Sequence, residues 1–442
     1  MNRSALLRSP LTRREWLKLS AAGVLSCSMS GWLETLAQDA ATDSKRRRAC
    51  ILLWMNGGPS QMDTFDLKPG HTNGGSFKTI DTSIPGMQIS EHLPKLARLG
   101  QHLAIIRSMS TKEADHGRAT YTMRTGHAPG GPIQYPALGA LVAKELESPD
   151  AELPSFASIG PSRFNSPGAY GPGFLGPRYA PLIVGENAAN IGGQQTDQAL
   201  KVQALDLPAS VGAARAAARV QLLEEMEEDF LAERSGIASL SHRTAYQRAV
   251  TMIRSPAAKA FNLEEEAKEL RDRYGRNLFG QGCLLARRLV ERGVPFIEVN
   301  LGGWDTHQNN FTAVQRLSET LDTGWSTLLA DLKDRGLLES TLVVWMGEFG
   351  RTPKINTGNG RDHWANSWST VLGGGGIRGG QVIGKTSADG MSVAERPVSV
   401  RDFLATVCLA MGIDITKQNQ SNVGRPIRIV EPGAQPIKEV LL

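Results

Sequence analysis

The chain has 442 residues, enough for one large α/β domain or two ordinary ones. A hydrophobic content of 40% and a charged content of 21% are those of a soluble globular protein. The formal charge of +5 falls to +2 once residues 1–37 are set aside, and nothing in it argues for a nucleic-acid partner.

Residues 1–37 read as an export signal. Thr12-Arg13-Arg14-Glu15-Trp16-Leu17-Lys18 fits the twin-arginine pattern, with Trp where Phe is more usual. A weakly apolar run, Leu19 to Leu33, follows, and Thr35-Leu36-Ala37 offers small residues for cleavage. The apolar run is short and broken by Gly and Ser, so a membrane contact is expected only if the signal stays uncleaved. That route places the protein outside the cytoplasm, periplasmic or extracellular. Residues 38–48, with the run Lys45-Arg46-Arg47-Arg48, read as a solvated linker.

Ala49 to Met55, ACILLWM, is a short continuous apolar run and predicts a buried strand, stopped by Asn56-Gly57-Gly58-Pro59. Beyond it Asp63 is the candidate carboxylate, Ser60 a hydroxyl ligand or a cap, and Asp66 a turn former. Residues 67–90 are rich in Gly, Pro, Thr and Ser and predict surface loop. Leu103 to Met109 predicts a second strand, followed by Glu113-Ala114-Asp115-His116-Gly117-Arg118 and a helix. The free amides of that helix start, with Arg118 beside them, suit an oxyanion; equally, Asp115 caps the helix.

Residues 128–206 are dense in Gly and Pro, with one helix near Tyr135 to Leu146. From about 208 to 292 the pattern turns helical and predicts an insertion or lid with its charges on a solvated face, or a partner-binding bundle. Cys50, Cys283 and Cys408 are too widely spaced for a disulfide framework or a CxxC knuckle and read as buried thiols; Cys27 would leave with the signal.

The segment from Phe296 to Trp364 concentrates the chemistry. FIEV ends in NLGGWDTHQNN, an amphipathic helix spans Phe311 to Asp334, TLVVWM ends in GEFGRTP, and a loop delivers GRDHW. This β-α-β order implies a parallel sheet, whose ligands collect outside the carboxyl ends of the strands. Asp305, His307, Glu348, Asp362 and His363 all fall there, and carboxylates with imidazoles are the ligands of borderline divalent metals. The same residues also serve as turn formers and caps. Ser369 to Leu372 predicts a further strand closed by the turn Gly373 to Gly376, and Val400 to Met411 a closing helix.

Five motifs, GGPSQMDTFDLKPG (57–70), ADHGRATYTMRTGH (114–127), GGWDTHQNN (302–310), MGEFGRTP (346–353) and GRDHW (360–364), together resemble the domain-of-unknown-function family numbered 1501. That family is grouped with the sulfatase and alkaline phosphatase superfamily, and the resemblance covers essentially all of 49–442. It implies a three-layer α/β/α sandwich with a mostly parallel sheet and a helical insertion at about 208–292. It also implies an exported metal-dependent hydrolase of phosphate or sulfate esters, acting on an anionic small molecule or glycan ester. Asp305, His307 and His363 would match one metal site, with Asp63 and Glu348 assisting or holding a weaker second ion. One or two divalent ions (zinc, manganese or calcium) are implied.

The pattern departs from the superfamily in three places. Glu348-Phe349 stands where an Asp-His pair is typical, Asn56 follows the first strand where a carboxylate is usual, and His116 occupies the nucleophile position. Without Cys or Ser there, water on a metal would be the nucleophile, unless Thr120 or Thr122 attacks. His116 would act as acid/base or oxyanion contact, Arg118 would clamp the anion, and Asp362 would orient His363. The alternative is a member without catalysis that binds a sulfated or phosphorylated glycan or a partner protein.

Overall fold

In the computed structural model, residues 48–163, 166–186, 199–202, 205, 211–233 and 237–442 are described. The expected signal and nearly all of the linker lie outside them.

Eight strands make the central sheet: β1 (Ala49–Asn56), β2 (Leu103–Met109), β3 (Phe156–Ile159), β4 (Leu182–Val184), β5 (Phe296–Gly302), β6 (Thr341–Met346), β7 (Trp368–Gly374) and β8 (Gln381–Ile383). Their order across the sheet is β8-β2-β7-β6-β1-β5-β3-β4. Every neighbouring pair is parallel except those made by β7, which runs against both β2 and β6.

Strand β1 explains why the sheet is covered on both faces. Ile51, Leu53 and Met55 point to one side and Cys50, Leu52 and Trp54 to the other, and all six are buried. A strand without a polar face needs a layer above and below it. On the first side lie two helices, α5 (Leu278–Glu291) and α6 (Asn310–Asp334). Helix α6 turns Val314, Leu317, Leu321, Trp325, Leu328 and Leu332 inward, the three-and-four spacing of an apolar stripe. On the second side lie α2 (Leu138–Leu146), α7 (Val400–Ala410) and Met123 of α1 (His116–Thr125). The expected three-layer α/β/α sandwich with a mostly parallel sheet is the observed fold.

The helical stretch from 208 to 292 divides in two. Helices α3 (Ala213–Glu233) and α4 (Ile237–Arg254) pack on each other and carry the exposed Leu222, Met226 and Ile253. Helix α5, by contrast, is a core layer, buried from Phe279 to Val290. Its charges are not on a solvated face: Arg287 and Arg288 are buried and paired with Glu265, Glu266, Glu291 and Asp331. The apolar density that covers a sheet also reads as amphipathic helix, which is why the boundary was not visible in the sequence.

Three short strands, β3, β4 and β8, were not expected. Each has three or four residues, too few for a two-residue alternation to show, and β3 and β4 lie in the Gly/Pro-dense stretch. Cys50, Cys283 and Cys408 are buried free thiols, as expected. Among the described residues no helix is long and apolar enough to cross a membrane.

Candidate metal centre

The carboxyl ends of β1, β5 and β6 meet at one edge, where Asn56 pairs with Gly302 and Trp54 with Met346. Parallel β2 ends at the same edge and leads into α1. Because β7 is antiparallel, it starts there (Trp368 opposite Met109), and the loop before it delivers residues 361–364 to the same place. The reversed strand therefore brings the expected GRDHW segment to the same edge from the loop before a strand.

The centre is built from three imidazoles and one carboxylate oxygen. Asp305 Oδ1 lies 3.0 Å from His307 Nε2, 3.2 Å from His363 Nε2 and 3.4 Å from His116 Nε2. His307 Nε2 and His363 Nε2 are themselves 3.1 Å apart. His116, Asp305 and His363 each offer a ligand atom within 4.8 Å of the other two.

The outer nitrogens decide the protonation of these rings. His116 Nδ1 is 2.7 Å from Glu348 Oε1, His307 Nδ1 is 2.8 Å from Asp362 Oδ1, and His363 Nδ1 is 2.7 Å from the Ala114 carbonyl. A carboxylate or carbonyl oxygen only accepts, so each Nδ1 carries its ring's proton. In neutral imidazoles all three Nε2 atoms then carry lone pairs facing Asp305 Oδ1, and those of His307 and His363 also face each other. Such a knot of acceptors is repulsive unless a cation sits in it. The separations of 3.0–3.4 Å around Asp305 match those between ligands on a four-coordinate ion with bonds of roughly 2.0–2.1 Å. The residues present fit a divalent metal.

In the absence of a metal, protons supply the missing charge. Burial would lower the His116 pKa, but hydrogen bonds to Asp305 and Glu348, with their charge, outweigh it and push it up to about 9. Burial likewise works against ionised Asp305, yet hydrogen bonds from His116, His363 and Arg351 hold its carboxyl well below the usual range.

Glycine at 57 is required by the construction. Its φ is +112°, and a Cβ there would stand 2.5 Å from the Asp305 backbone nitrogen. The close approach lets the Gly57 amide donate to Glu348 Oε1 at 2.9 Å, which with His116 fixes that buried carboxylate. Phe349, fully buried, packs against both the His116 and His363 rings.

Four expectations are corrected here. Glu348 orients a ring instead of ligating, its Oε1 taken by the Gly57 amide and His116 Nδ1. Asp63 does not reach the centre: Arg361 binds both its oxygens, at 2.7 and 3.0 Å, and Asn310 donates to one of them at 2.8 Å. Arg118 does not clamp an anion, because Glu113 holds its exposed guanidinium by two hydrogen bonds of 2.8 Å; Asp115 caps the helix through the Arg118 amide. Asp362 orients His307 rather than His363, since Asp362 and His363 are adjacent in extended chain and face opposite ways.

Two buried arginines were missed. Arg351 donates to the carbonyls of Gly57, Gly58 and Arg361 and to Asp305 Oδ1, and Arg361 clamps Asp63. The signal for both was present: each lies inside a polar motif, GEFGRTP or GRDHW, that also supplies a site residue.

The profile of the family described as Protein of unknown function (DUF1501) matches residues 47–441. The chain belongs to this family. No curated protein sequence matches it significantly. Among solved structures it is similar to the lipoteichoic acid synthase LtaP from Listeria monocytogenes, at 10% identity and a TM-score of 0.42, over 90% of this chain and 80% of that one. It is also similar to the PsFucS1 sulfatase from Pseudoalteromonas sp., at 13% and 0.42, over 91% and 72%. A third is the phosphonate monoester hydrolase SpPMH from Silicibacter pomeroyi, at 12% and 0.36, over 84% and 74%. At these values the likeness is remote and assigns neither substrate nor activity to this DUF1501 member.

Proposed function

We propose that this DUF1501 protein is a metal-dependent hydrolase of phosphate or sulfate esters, exported by the twin-arginine route. The observation that carries the metal is the convergence of three Nε2 lone pairs on Asp305 Oδ1, each ring locked by an acceptor at Nδ1. His116, His307, His363 and Asp305 would hold the ion. Three imidazoles and one carboxylate suit zinc or another borderline ion better than calcium, which takes six to eight oxygens. When bound, such an ion lowers the pKa of water and neutralises charge on an ester oxyanion.

The chain's own residues orient the site. Asp362, Ala114 and Glu348 aim the three rings, Gly57 secures Glu348, and Phe349 closes the inner side. His116 is a ligand on this reading rather than a free acid or base. The Thr122 hydroxyl donates to the Arg118 carbonyl, and buried Thr120 lies on the same helix, so neither is presented as a nucleophile. The anionic small-molecule or glycan ester expected from the sequence is kept as the substrate class.

A second reading has its own support: the nucleophile position is filled by a ligand imidazole and Arg118 is engaged elsewhere. The centre would then hold an ion and bind a sulfated or phosphorylated glycan without turnover. Elemental analysis of protein purified without chelator, beside a His307→Ala/His363→Ala variant, tests the metal. A panel of phosphate and sulfate esters then separates the readings. Metal lost in the variant together with ester turnover is the expected result; no metal after loading with zinc, manganese and calcium sinks both. Export is tested by Arg13→Lys/Arg14→Lys, which should retain the protein in the cytoplasmic fraction.

A further inference from the structure

Three carboxylates from strand-end loops, Asp63, Asp305 and Glu348, face the edge where the centre lies, and two buried arginines are committed to them. Arg361 takes both oxygens of Asp63. Arg351, fully buried, places Nη2 on Asp305 Oδ1. Glu348 spends Oε1 on the Gly57 amide and His116 Nδ1, and its buried Oε2 has no partner among the described residues.

We infer that the centre admits one divalent ion only, with the Arg351 guanidinium acting as the fixed second positive charge on Asp305. The inference rests on the metal reading above and sets its stoichiometry. A second ion needs three or four donors. Of the six oxygens on those three carboxylates, Arg361 holds both from Asp63, and Asp305 Oδ1 already serves the imidazole cluster and Arg351. Glu348 Oε2, which is buried, and Asp305 Oδ2, on a half-exposed side chain, are the two oxygens left over, fewer than a second ion needs, and the described residues hold no group of three ligand atoms away from this cluster.

Burial lowers the Arg351 pKa, and the hydrogen bond and charge of Asp305 work the other way. Nε donates to Gly58 O at 3.0 Å and Nη1 to Arg361 O at 3.2 Å, while Nη2 also reaches Gly57 O. These bonds tie the loops after β1 and β6 and the loop before β7 behind Asp305. A guanidinium starts from so high a pKa that it stays charged at neutral pH. It balances the charge of Asp305 at the same oxygen, Oδ1, that faces the three imidazoles. Arg351 is therefore a positioning residue and a countercharge; its donors are spent on the chain, not on substrate.

The experiment is calorimetric titration of zinc into the chelator-stripped full chain, with elemental analysis of the product. The wild type should take one tight equivalent. Arg351→Lys, which keeps the charge but loses the fork of donors, should gain no affinity over the wild type. Arg351→Gln should bind about tenfold more tightly, because the ion no longer faces a neighbouring cation. A merely structural arginine predicts the reverse order, since its loss would loosen Asp305. Two tight equivalents in the wild type, or weaker binding by Gln than by Lys, overturns the inference while leaving the metal centre standing. No zinc in the wild type overturns the metal centre itself. Where Arg351→Gln does not fold, the wild-type stoichiometry decides alone.

Discussion

His307 and His363 meet nitrogen to nitrogen at 3.1 Å, and each ring has an acceptor at its other nitrogen, Asp362 for the first and Ala114 for the second. Two lone pairs at that distance repel, and an ion bound between them removes the repulsion. Zinc should accordingly raise the melting temperature. A ligand at a hundred times its Kd adds about 2.7 kcal/mol when it binds only the folded state. In His307→Ala/His363→Ala the shift should vanish, with far-ultraviolet circular dichroism unchanged because both side chains lie at the surface edge. Differential scanning calorimetry with and without zinc checks this.

Asp362→Asn should weaken zinc binding by about ten- to a hundredfold, the usual effect of losing the carboxylate behind a ligating imidazole. Arg118→Ala should leave zinc affinity and melting temperature unchanged, as its guanidinium meets only Glu113. Had Arg118 faced the centre and Asp362 been a surface turn, the ranking would be inverted. Competition with a chromogenic chelator measures both.

How far the sequence disclosed this arrangement follows from what each residue depends on. Asp305, His307, Glu348 and His363 were legible because a strand-loop pattern places them at one edge whatever the detailed packing. The role of His116 was legible only as polar chemistry near a helix start; that its Nε2 joins the cluster depends on how α1 sits on the sheet. Asp63 was misread because its partner, Arg361, is 298 positions away, and no local pattern reports a pairing of that range. The same holds for Asp362, whose direction is set by the short pairing of His363–Trp364 with Gly350–Arg351. In the fold, long apolar runs such as β1 and β6 were readable, whereas β4 and β8 exist because neighbours supply their hydrogen bonds.

The three described cysteines should be silent toward thiol reagents in the folded protein. Burial pushes the Cys408 thiol up to about 12, and Cys50 and Cys283 are raised further, so at pH 8.5 the reactive thiolate is scarce as well as inaccessible. Burial favours the neutral form, so labelling should stay negligible on the native protein up to the pH at which it unfolds. On mature chain beginning after residue 37, denaturation should release three reactive thiols. Ellman titration before and after guanidinium gives the count; fast labelling of native protein would contradict the buried placement.

Asp63 offers the sharpest separation between a structural and a ligating carboxylate. It and Arg361 are both fully buried, joined by two hydrogen bonds, and Asn310 at the start of α6 completes the set. Removing one member of such a pair strands a charge in the interior, which costs about 3–5 kcal/mol. Asp63→Ala should therefore lower stability to chemical denaturation by that order, while the folded fraction still takes its full equivalent of zinc. A ligating Asp63 would show the opposite, with zinc lost and the metal-free stability nearly unchanged. Combining Asp63→Ala with Arg361→Met removes both charges, and it should recover part of the loss because no unpaired guanidinium remains. Denaturation curves of the metal-free single and double variants, read with zinc content on the same preparations, measure both effects together.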